Sequence, residues 1–205
     1  MKEESKELLN ALGIAVVQAP GEGEMQCAKL VMDGETYAVG SQDYDALVVG
    51  GHRLIQNLTL ARKRKTSSGF VYISPEVIEY NNVLNSLGID PDRFICLAIL
   101  VGTDFNPGGV RGFGPKKALA LVKQKKYPVE IFKEVEHQLE FNWQDVFELF
   151  KKPNVKNFKI EFPKLDQDKV REILVKEHDF SEERVNKQFE KLQELKRRSA
   201  QKTLF

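Results

Sequence analysis

Five carboxylates share a position along the chain that suits metal chemistry, because each lies where an apolar segment gives way to a turn. They are Glu22 and Glu24 in Ala-Pro-Gly-Glu-Gly-Glu (19–24), Asp43 and Asp45 in Gln-Asp-Tyr-Asp (42–45), and Asp104 at the end of an apolar run. Hydrolysis of a phosphodiester with bound Mg²⁺ requires several acidic oxygens that converge on one point. The five acids are therefore candidate metal ligands and candidate catalytic residues.

A structural role explains some of these acids as well as a functional one does. Glu22 and Glu24 lie near a predicted helix N-terminus, where the helix dipole already favours negative charge. Asp43 and Asp45 could instead form an Asx turn with Gly40-Ser41. For both pairs the functional interpretation stays open at this point.

Asp104 is harder to explain by structure alone. It follows Ile-Cys-Leu-Ala-Ile-Leu-Val-Gly-Thr (95–103), a segment that is apolar nearly all round and is predicted to be helical. An acid at the C-terminal end of a helix lies at the pole where the dipole disfavours an anion. Such a carboxylate needs a compensating cation, and a metal ion is the natural candidate.

The elements that position these acids are short apolar runs in alternation with helical patterns. Strands are predicted near 14–17, 36–40, 54–60 and 70–74. A further helix is predicted to begin at Ser74-Pro75-Glu76, because a hydroxyl cap precedes proline at the first helical position. The alternation predicts an α/β fold with a largely parallel sheet, in which ligands gather at the carboxyl ends of the strands.

From Pro91 onward the pattern is almost purely helical. We therefore predict an α/β region over residues 1–90, a helical lobe over residues 91–197, and a tail over residues 198–205. At 205 residues the chain is long enough to bury a sizeable core.

A glycine-rich segment lies between two predicted helices and leads into Pro115-Lys116-Lys117. Glycines permit close backbone approach, and the N–H groups at the start of a helix favour a phosphate. The Gly-Lys-Ser/Thr ending of a nucleotide-binding loop is missing, so the pattern favours the DNA backbone instead. The candidate DNA-binding residues are Gly109, Arg111, Gly112, Gly114, Lys116 and Lys117.

The overall composition is that of an ordinary globular protein, with 41% hydrophobic and 30% charged residues and a net charge of +1. Basic clusters at 62–65, 116–117, 123–126 and 196–198 are local, and each alone is more often a solvated face. The two cysteines indicate neither a disulfide framework nor a zinc site, and no apolar stretch reaches the length of a membrane span. We expect an intracellular protein with no membrane partner.

Four sequence blocks, taken in order, resemble the flap endonuclease family of structure-specific 5′ nucleases, particularly its archaeal and eukaryotic members. The blocks are residues 19–28, 41–45, 100–104 and 109–118, and the resemblance extends from Lys6 to about Leu195. Their short spacing is typical of flap endonucleases rather than of relatives with long inserted spacers.

The resemblance implies a PIN-like 5′-nuclease core and a two-metal hydrolytic site. The five acids would then bind two Mg²⁺ ions, for which Mn²⁺ can substitute. Residues 108–117 would belong to a helix–two-turn–helix that grips duplex DNA around a K⁺ ion. The implied activity is cleavage of flap or branched DNA in replication and repair, in the archaeal cytoplasm near the nucleoid or in the eukaryotic nucleus.

In this family, a long N-terminal region supplies the first strand, two further metal-binding aspartates and the basic arch helices. The segment that resembles the family here begins after that region. We therefore expect the chain to be the C-terminal portion of such a nuclease, incomplete at its N-terminus. The alternative is a non-catalytic DNA-binding half or subunit that a separate N-terminal nuclease chain completes.

The final residues resemble the start of the sliding-clamp binding motif Gln-x-x-Leu-x-x-Phe-Phe. Gln201, Leu204 and Phe205 occupy its first positions, and the aromatic pair does not follow. A sliding clamp is therefore an expected partner through an incomplete motif.

Overall fold

The computed structural model describes residues 2–59 and 62–202, which form two compact units. In the smaller unit, the N-terminal segment up to Val17 joins the C-terminal segment from Lys159 onward. The larger unit is the continuous stretch Gln18–Phe158. None of the helices in the described part of the chain has the length and apolar character that crossing a membrane requires.

The helices and strands follow one another in an α/β order and then in a helical order. Up to residue 90 the elements are α1 Lys2–Ala11, α2 Gly23–Met32, β1 Val39–Gly40, α3 Asp45–Val48, β2 Arg53–Gln56, β3 Lys63–Thr66, β4 Gly69–Tyr72, β5 Glu76–Glu79 and α4 Tyr80–Leu87. Beyond it they are α5 Pro91–Val101, α6 Pro115–Gln124, α7 Pro128–Lys133, a 3₁₀ turn Glu136–Gln138, α8 Trp143–Lys151, α9 Gln167–Arg171, a π-helical turn Glu172–Glu177 and α10 Glu182–Lys202. The helical character predicted from Pro91 onward is confirmed.

The larger unit contains a three-stranded sheet in the order β1-β2-β5. β1 runs parallel to β2, with Val39 opposite Leu54, whereas β5 runs antiparallel to β2, with Ile78 opposite Leu54. The α/β class is confirmed, but the sheet is mixed rather than largely parallel. Parallel neighbours need a long crossover, usually a helix. The described chain between β2 and β5 forms only the β3–β4 hairpin, so it returns antiparallel.

Strand β5 occupies residues that the sequence pattern assigns to a helix. The Ser-Pro-Glu signal at 74–76 predicts a helix start, but β5 pairs with β2, and α4 begins only at Tyr80. Val77 and Ile78 are β-branched, which favours a strand, and Ile78 gains a cross-strand partner in Leu54. The pairing available on β2 therefore overrides the local helix signal.

The strand predicted at residues 14–17 is absent. These residues have no regular secondary structure, and Ile14 is 45% exposed. A strand needs a neighbour that satisfies its backbone groups, and no described strand pairs with this segment. Glu22 and Glu24 therefore follow an irregular segment and not a buried strand.

One hydrophobic core extends through the larger unit from α2 to α8. Its fully buried side chains include Leu47 of α3, Leu54 of β2, Leu100 of α5, Phe132 of α7 and Phe150 of α8. Residues before and after position 90 share this core. The three-part division over residues 1–90, 91–197 and 198–205 stays a prediction.

The smaller unit packs α1, α9, the π-helical turn and α10 around a separate apolar cluster. Ala11, Val170, Val185 and Phe189 are its buried members. The backbone N–H of Asp166 donates to the carbonyl of Ala11 at 2.8 Å, which joins the N-terminal and C-terminal segments of the chain.

The turn that follows α5 folds back tightly on that helix. Val110 N–H donates to the Leu100 carbonyl at 2.9 Å, and Gly109 N–H donates to the Asn106 carbonyl at 3.0 Å. Gly109 has a φ of +62°, and a Cβ atom there would lie 2.4 Å from the carbonyl carbon of Val101. This position has both a left-handed conformation and no room for a side chain, so it requires glycine.

We expect Gly109→Ala to lower the free energy of unfolding by about 3 kcal/mol, because it adds left-handed strain to a clash with backbone atoms. Gly108→Ala is the matched control, since Gly108 has a φ of +83° and nothing lies within 4 Å of its added Cβ. That control should cost about 1 kcal/mol through strain alone. Urea denaturation followed by circular dichroism measures both, and equal losses would contradict the packing argument.

Candidate metal centre and nucleic-acid interface

Three aspartates from two separate segments converge at one point on the larger unit. Asp45 begins α3 and Asp43 lies in the loop before it, while Asp104 lies in the turn that follows α5. One carboxylate oxygen from each residue lies within 4.8 Å of the other two. Asp43 and Asp104 are exposed and Asp45 is half-buried, so an ion could reach this cluster from solvent.

The loop that carries Asp43 is held to the sheet by Gln56, a buried residue at the end of β2. The Gln56 Nε2 atom donates to the Gln42 carbonyl at 2.9 Å, and its Oε1 atom accepts from the Tyr44 hydroxyl at 3.3 Å. Asp43 Oδ1 accepts the Tyr44 N–H at 2.6 Å. A buried amide that is satisfied at both ends holds the loop in one conformation.

The turn that carries Asp104 has its own buried support in Asn106. Asn106 Nδ2 donates to the Ile99 carbonyl at 2.7 Å, and its Oδ1 accepts from the Thr103 hydroxyl at 2.7 Å. Phe105 packs edge-on against a phenylalanine of α8, with the ring centroids 5.5 Å apart. Polar and apolar contacts therefore fix the backbone on both sides of Asp104.

Burial and crowded negative charge together raise the pKa of the Asp45 carboxyl from 3.8 to about 6. Burial is the largest cause of this rise, followed by the charges of Asp43 and Asp104 and then by those of Glu24 and Glu22. All five predicted acids thus contribute to one electrostatic field. A bound cation would remove the penalty that this field imposes on the Asp45 anion.

Glu24 is connected to the aspartate loop through Ser41. The Ser41 hydroxyl donates to Glu24 Oε1 and accepts the Asp43 N–H at 3.0 Å. The second Glu24 oxygen, Oε2, is buried and has no hydrogen-bond partner among the described residues. Glu22 is exposed at the N-cap of α2, where its side chain makes no capping bond. The structure therefore brings Glu24 to the aspartate loop and leaves Glu22 at its edge.

The residues of this centre fit a hard divalent cation such as Mg²⁺. The cluster presents carboxylate oxygens, which Mg²⁺ prefers, and contains no imidazole or thiolate ligand among the described residues. A buried carboxylate oxygen without a partner carries a desolvation cost that a cation offsets. Asp43, Asp45 and Asp104 could hold the ion, and Glu24 offers a further oxygen.

The predicted phosphate-binding segment forms the turn between α5 and α6 and the first turn of α6. Gly114 caps α6 without a side chain, and Pro115 is its first residue. A Cβ atom added at Gly112 or Gly114 would meet nothing within 4 Å, so the backbone there is open to a ligand. The unpaired N–H groups at the start of α6 favour an anion.

The side chains of this segment add positive charge. Arg111, Lys116 and Lys117 are exposed, and Lys117 Nζ lies 4.0 Å from the centroid of the Phe113 ring. Gly109 differs from the other predicted DNA-binding residues, because it packs against the end of α5. Five of the six predicted residues therefore lie on an open surface, and Gly109 shapes the turn beneath them.

A second basic surface lies on the β3–β4 hairpin, of which the sequence predicted a strand near 70–74 but not the strand β3. Lys63, Arg64 and Lys65 are exposed along β3, and Phe70 and Tyr72 of β4 are 69% and 75% exposed. Lys63 Nζ lies 4.9 Å from the Tyr72 ring centroid. The hairpin thus presents cations beside aromatic faces, a combination suited to nucleic acid.

An apolar cleft of about 830 Å³ opens beside the three aspartates. Its walls come from α3 to α6 and include Leu47, Val83, Phe94, Leu97, Val101 and Leu119, while the three aspartates lie on its edge. A phosphodiester is too polar for such walls. The cleft suits apolar side chains instead.

Sequence reasoning identified the five acids but missed the side chains that hold them. Gln56 gave a signal, because it lies two residues after Leu54 on the inward face of β2, where a polar residue needs partners. Ser41 and Asn106 gave no such signal, apart from their closeness to the acids in the sequence.

Of the predicted clamp-binding residues, Gln201 lies in the last turn of α10, and Leu204 and Phe205 lie outside the described residues.

Residues 13–104 match the family model of the XPG I-region. Flap endonuclease 1 of Aeropyrum pernix is 49% identical over 198 residues, which are 94% of this chain and 56% of that relative. The structure of flap endonuclease-1 from Methanococcus jannaschii has a TM-score of 0.78 at 37% identity and covers 93% of this chain and 56% of that one. A structure of human GEN1 in complex with Holliday junction DNA has a TM-score of 0.68 at 26% identity and covers 87% of this chain and 48% of that one.

The sequence match and the structural match both include a flap endonuclease. The chain spans about half the length of the curated relatives that it matches, and it is matched itself along nearly all of its own length. The resemblance inferred from the four sequence blocks is confirmed. Over the stretch that it spans, this chain belongs to the flap endonuclease family.

Proposed function

We propose that this chain is the C-terminal portion of a Mg²⁺-dependent 5′-flap endonuclease, which hydrolyses phosphodiester bonds of branched DNA in replication and repair. The convergence of Asp43, Asp45 and Asp104 within 4.8 Å carries this proposal. Family membership supports a nuclease activity. The open backbone and the lysines at the start of α6 support a DNA substrate.

The number of acids supports two metal ions. Proteins usually hold Mg²⁺ with one or two carboxylates, together with water and substrate phosphate. Five acids that share one electrostatic field exceed this need, so they suit two ions, for which Mn²⁺ can substitute. When bound, the ions supply Lewis-acid activation of water and stabilise charge on the phosphate.

The residues of this chain would bind the ions and hold the substrate against them. Asp43, Asp45 and Asp104 would provide the ligands, and Gln56 and Asn106 would keep those ligands in place without adding charge. Rigid placement of this kind lowers the cost of orientation in the reaction. At neutral pH the Asp45 carboxyl is mostly ionised, as ion binding requires, because its pKa is about 6.

The DNA would contact two surfaces of the larger unit. The start of α6, with Lys116 and Lys117, would hold the phosphate backbone of a duplex without reading its sequence. The family resemblance also implies a K⁺ ion at residues 108–117, which would help to hold the duplex. The β3–β4 hairpin would add cations and aromatic faces.

A second candidate function is a DNA-binding half that another polypeptide completes. The observation that favours it is the apolar cleft beside Asp43, Asp45 and Asp104. Apolar walls of this extent are costly in water. An N-terminal nuclease region on a separate chain would cover the cleft and bring additional ligands to the ions.

The proposed substrate also determines where the protein acts. Branched genomic DNA lies in the cytoplasm of an archaeon and in the nucleus of a eukaryote, so we place the protein in the corresponding compartment. A sliding clamp would bind through Gln201, Leu204 and Phe205 if further residues complete that motif.

We expect this chain to cut a labelled 5′-flap duplex near its junction when Mg²⁺ is present. Asp43→Ala should reduce the cleavage rate at least about 100-fold, because it removes a metal ligand that also crowds Asp45. Asp145→Ala, an exposed acid on α8, is the control and should leave the rate unchanged. No cleavage by the unmodified chain, with duplex binding retained, would favour the DNA-binding half instead.

Asp45→Asn should stabilise the metal-free protein. The folded state holds the Asp45 proton more tightly than the unfolded chain, whose carboxyl has a pKa of 3.8, so stability falls as pH rises from about 4 to 6. Above about pH 6 the ionised Asp45 carboxylate continues to lower the stability of the folded state by the full amount. At pH 8 without metal, the variant should gain about 1–2 kcal/mol, a figure reduced for the solvent around this half-buried group.

Urea denaturation at pH 8 and pH 4.5 measures this gain, which should shrink at the lower pH. Saturating Mg²⁺ should reverse the order of stabilities, because the unmodified protein gains more from the ion. Asp145→Asn is the matched control. A variant less stable than the unmodified protein at pH 8 without metal would contradict the electrostatic argument.

Lys116→Ala should weaken duplex binding equally for different DNA sequences. It should also reduce the slope of log affinity against log salt concentration by about 1, because one phosphate contact is lost. Fluorescence anisotropy at several salt concentrations measures both effects. Lys187→Ala, on the exposed surface of α10, is the control, and a slope unchanged by Lys116→Ala would place the duplex elsewhere.

A further inference from the structure

We propose that Ser41 is a positioning residue of the candidate metal centre. Its hydroxyl fixes the Glu24 carboxylate, so that the second Glu24 oxygen remains available to the ion. This inference rests on the proposed metal site. It assigns to Ser41 a role in ion affinity that could not be predicted from its residue type or from the pattern of acids.

The hydrogen bonds of Ser41 connect three segments. Its backbone N–H donates to the Ile55 carbonyl of β2 at 3.3 Å, which fixes the residue beside the sheet. Its hydroxyl donates to Glu24 Oε1 and accepts the Asp43 N–H at 3.0 Å. A hydroxyl has one proton, and an ionised carboxylate only accepts, so the proton must point to Glu24. Ser41 is thus the link between α2 and the aspartate loop.

Glu24 needs this link because its surroundings push it away. Its charge acts on Asp45 and therefore repels the anions of the same cluster. Its side chain has three rotatable bonds, and its buried Oε2 atom has no partner among the described residues. Without the Ser41 hydroxyl, the carboxylate would rotate toward solvent, and ion binding would have to order it again.

The competing interpretation is that Ser41 only shapes the loop through the Asp43 N–H. Both interpretations predict some loss when the hydroxyl is removed. They differ in whether that loss depends on the Glu24 charge. If Ser41 acts through Glu24, its removal costs nothing further once Glu24 is neutral, whereas a purely structural loss would remain.

The test is a calorimetric titration of the full chain with Mn²⁺. Ser41→Ala should weaken Mn²⁺ binding about 10- to 100-fold, the usual loss when a partner of a metal ligand is removed. Ser41→Thr keeps the hydroxyl and should restore most of the affinity. Glu24→Gln should match Ser41→Ala, and the double variant should bind no more weakly than Glu24→Gln alone. Ser86→Ala, an exposed serine of α4, is the control.

Circular dichroism and urea denaturation show whether each variant folds. If Ser41→Ala does not fold, Ser41→Cys replaces it, because a thiol of similar size is only a weak donor. An affinity unchanged in a folded Ser41 variant, or losses that multiply in the double variant, would overturn the role of Ser41. An unmodified chain that binds no Mn²⁺ would overturn the proposed metal centre and this inference together.

Discussion

Like charges at close range repel one another, and the candidate metal centre holds three carboxylates whose oxygens lie within 4.8 Å. No attraction among these groups keeps them there, so the surrounding fold must. The supports that it provides are uncharged: Gln56 holds one aspartate loop, Asn106 holds the other, and Ser41 joins Glu24 to the first. A cationic support would have neutralised the cluster and weakened its attraction for a metal ion.

The same constraint ties the candidate metal centre to the proposed DNA interface. Asp104 and the start of α6 belong to one continuous turn, which folds back on α5 through Val110 and through the close approach of Gly109 to Val101. Phe105 anchors the turn to α8. A phosphate held at α6 would therefore keep a fixed distance from Asp104, as the proposed hydrolysis at one defined position on a duplex requires.

The parts that sequence reasoning predicted are those that depend on local pattern. The apolar helix before Asp104 and the proline-led start of α6 are such parts, and the pattern also singled out Asp43, Asp45 and Asp104, which the fold brings together. The parts that it missed depend on pairing between distant segments. The local helix signal at Ser74 loses to pairing between β5 and β2. Gln56 and Ser41 matter through partners in other segments, which spacing along one chain does not reveal.

The candidate ligands are widely separated in the chain: Glu24 lies in α2, Asp43 and Asp45 lie just before and at the start of α3, and Asp104 lies beyond α5. α3 has four residues, too few to persist alone in water. During synthesis, therefore, the three aspartates cannot meet until α5 and the turn after it have left the ribosome and packed. The proposed metal centre would form only with that packing, and it would be lost when the packing fails.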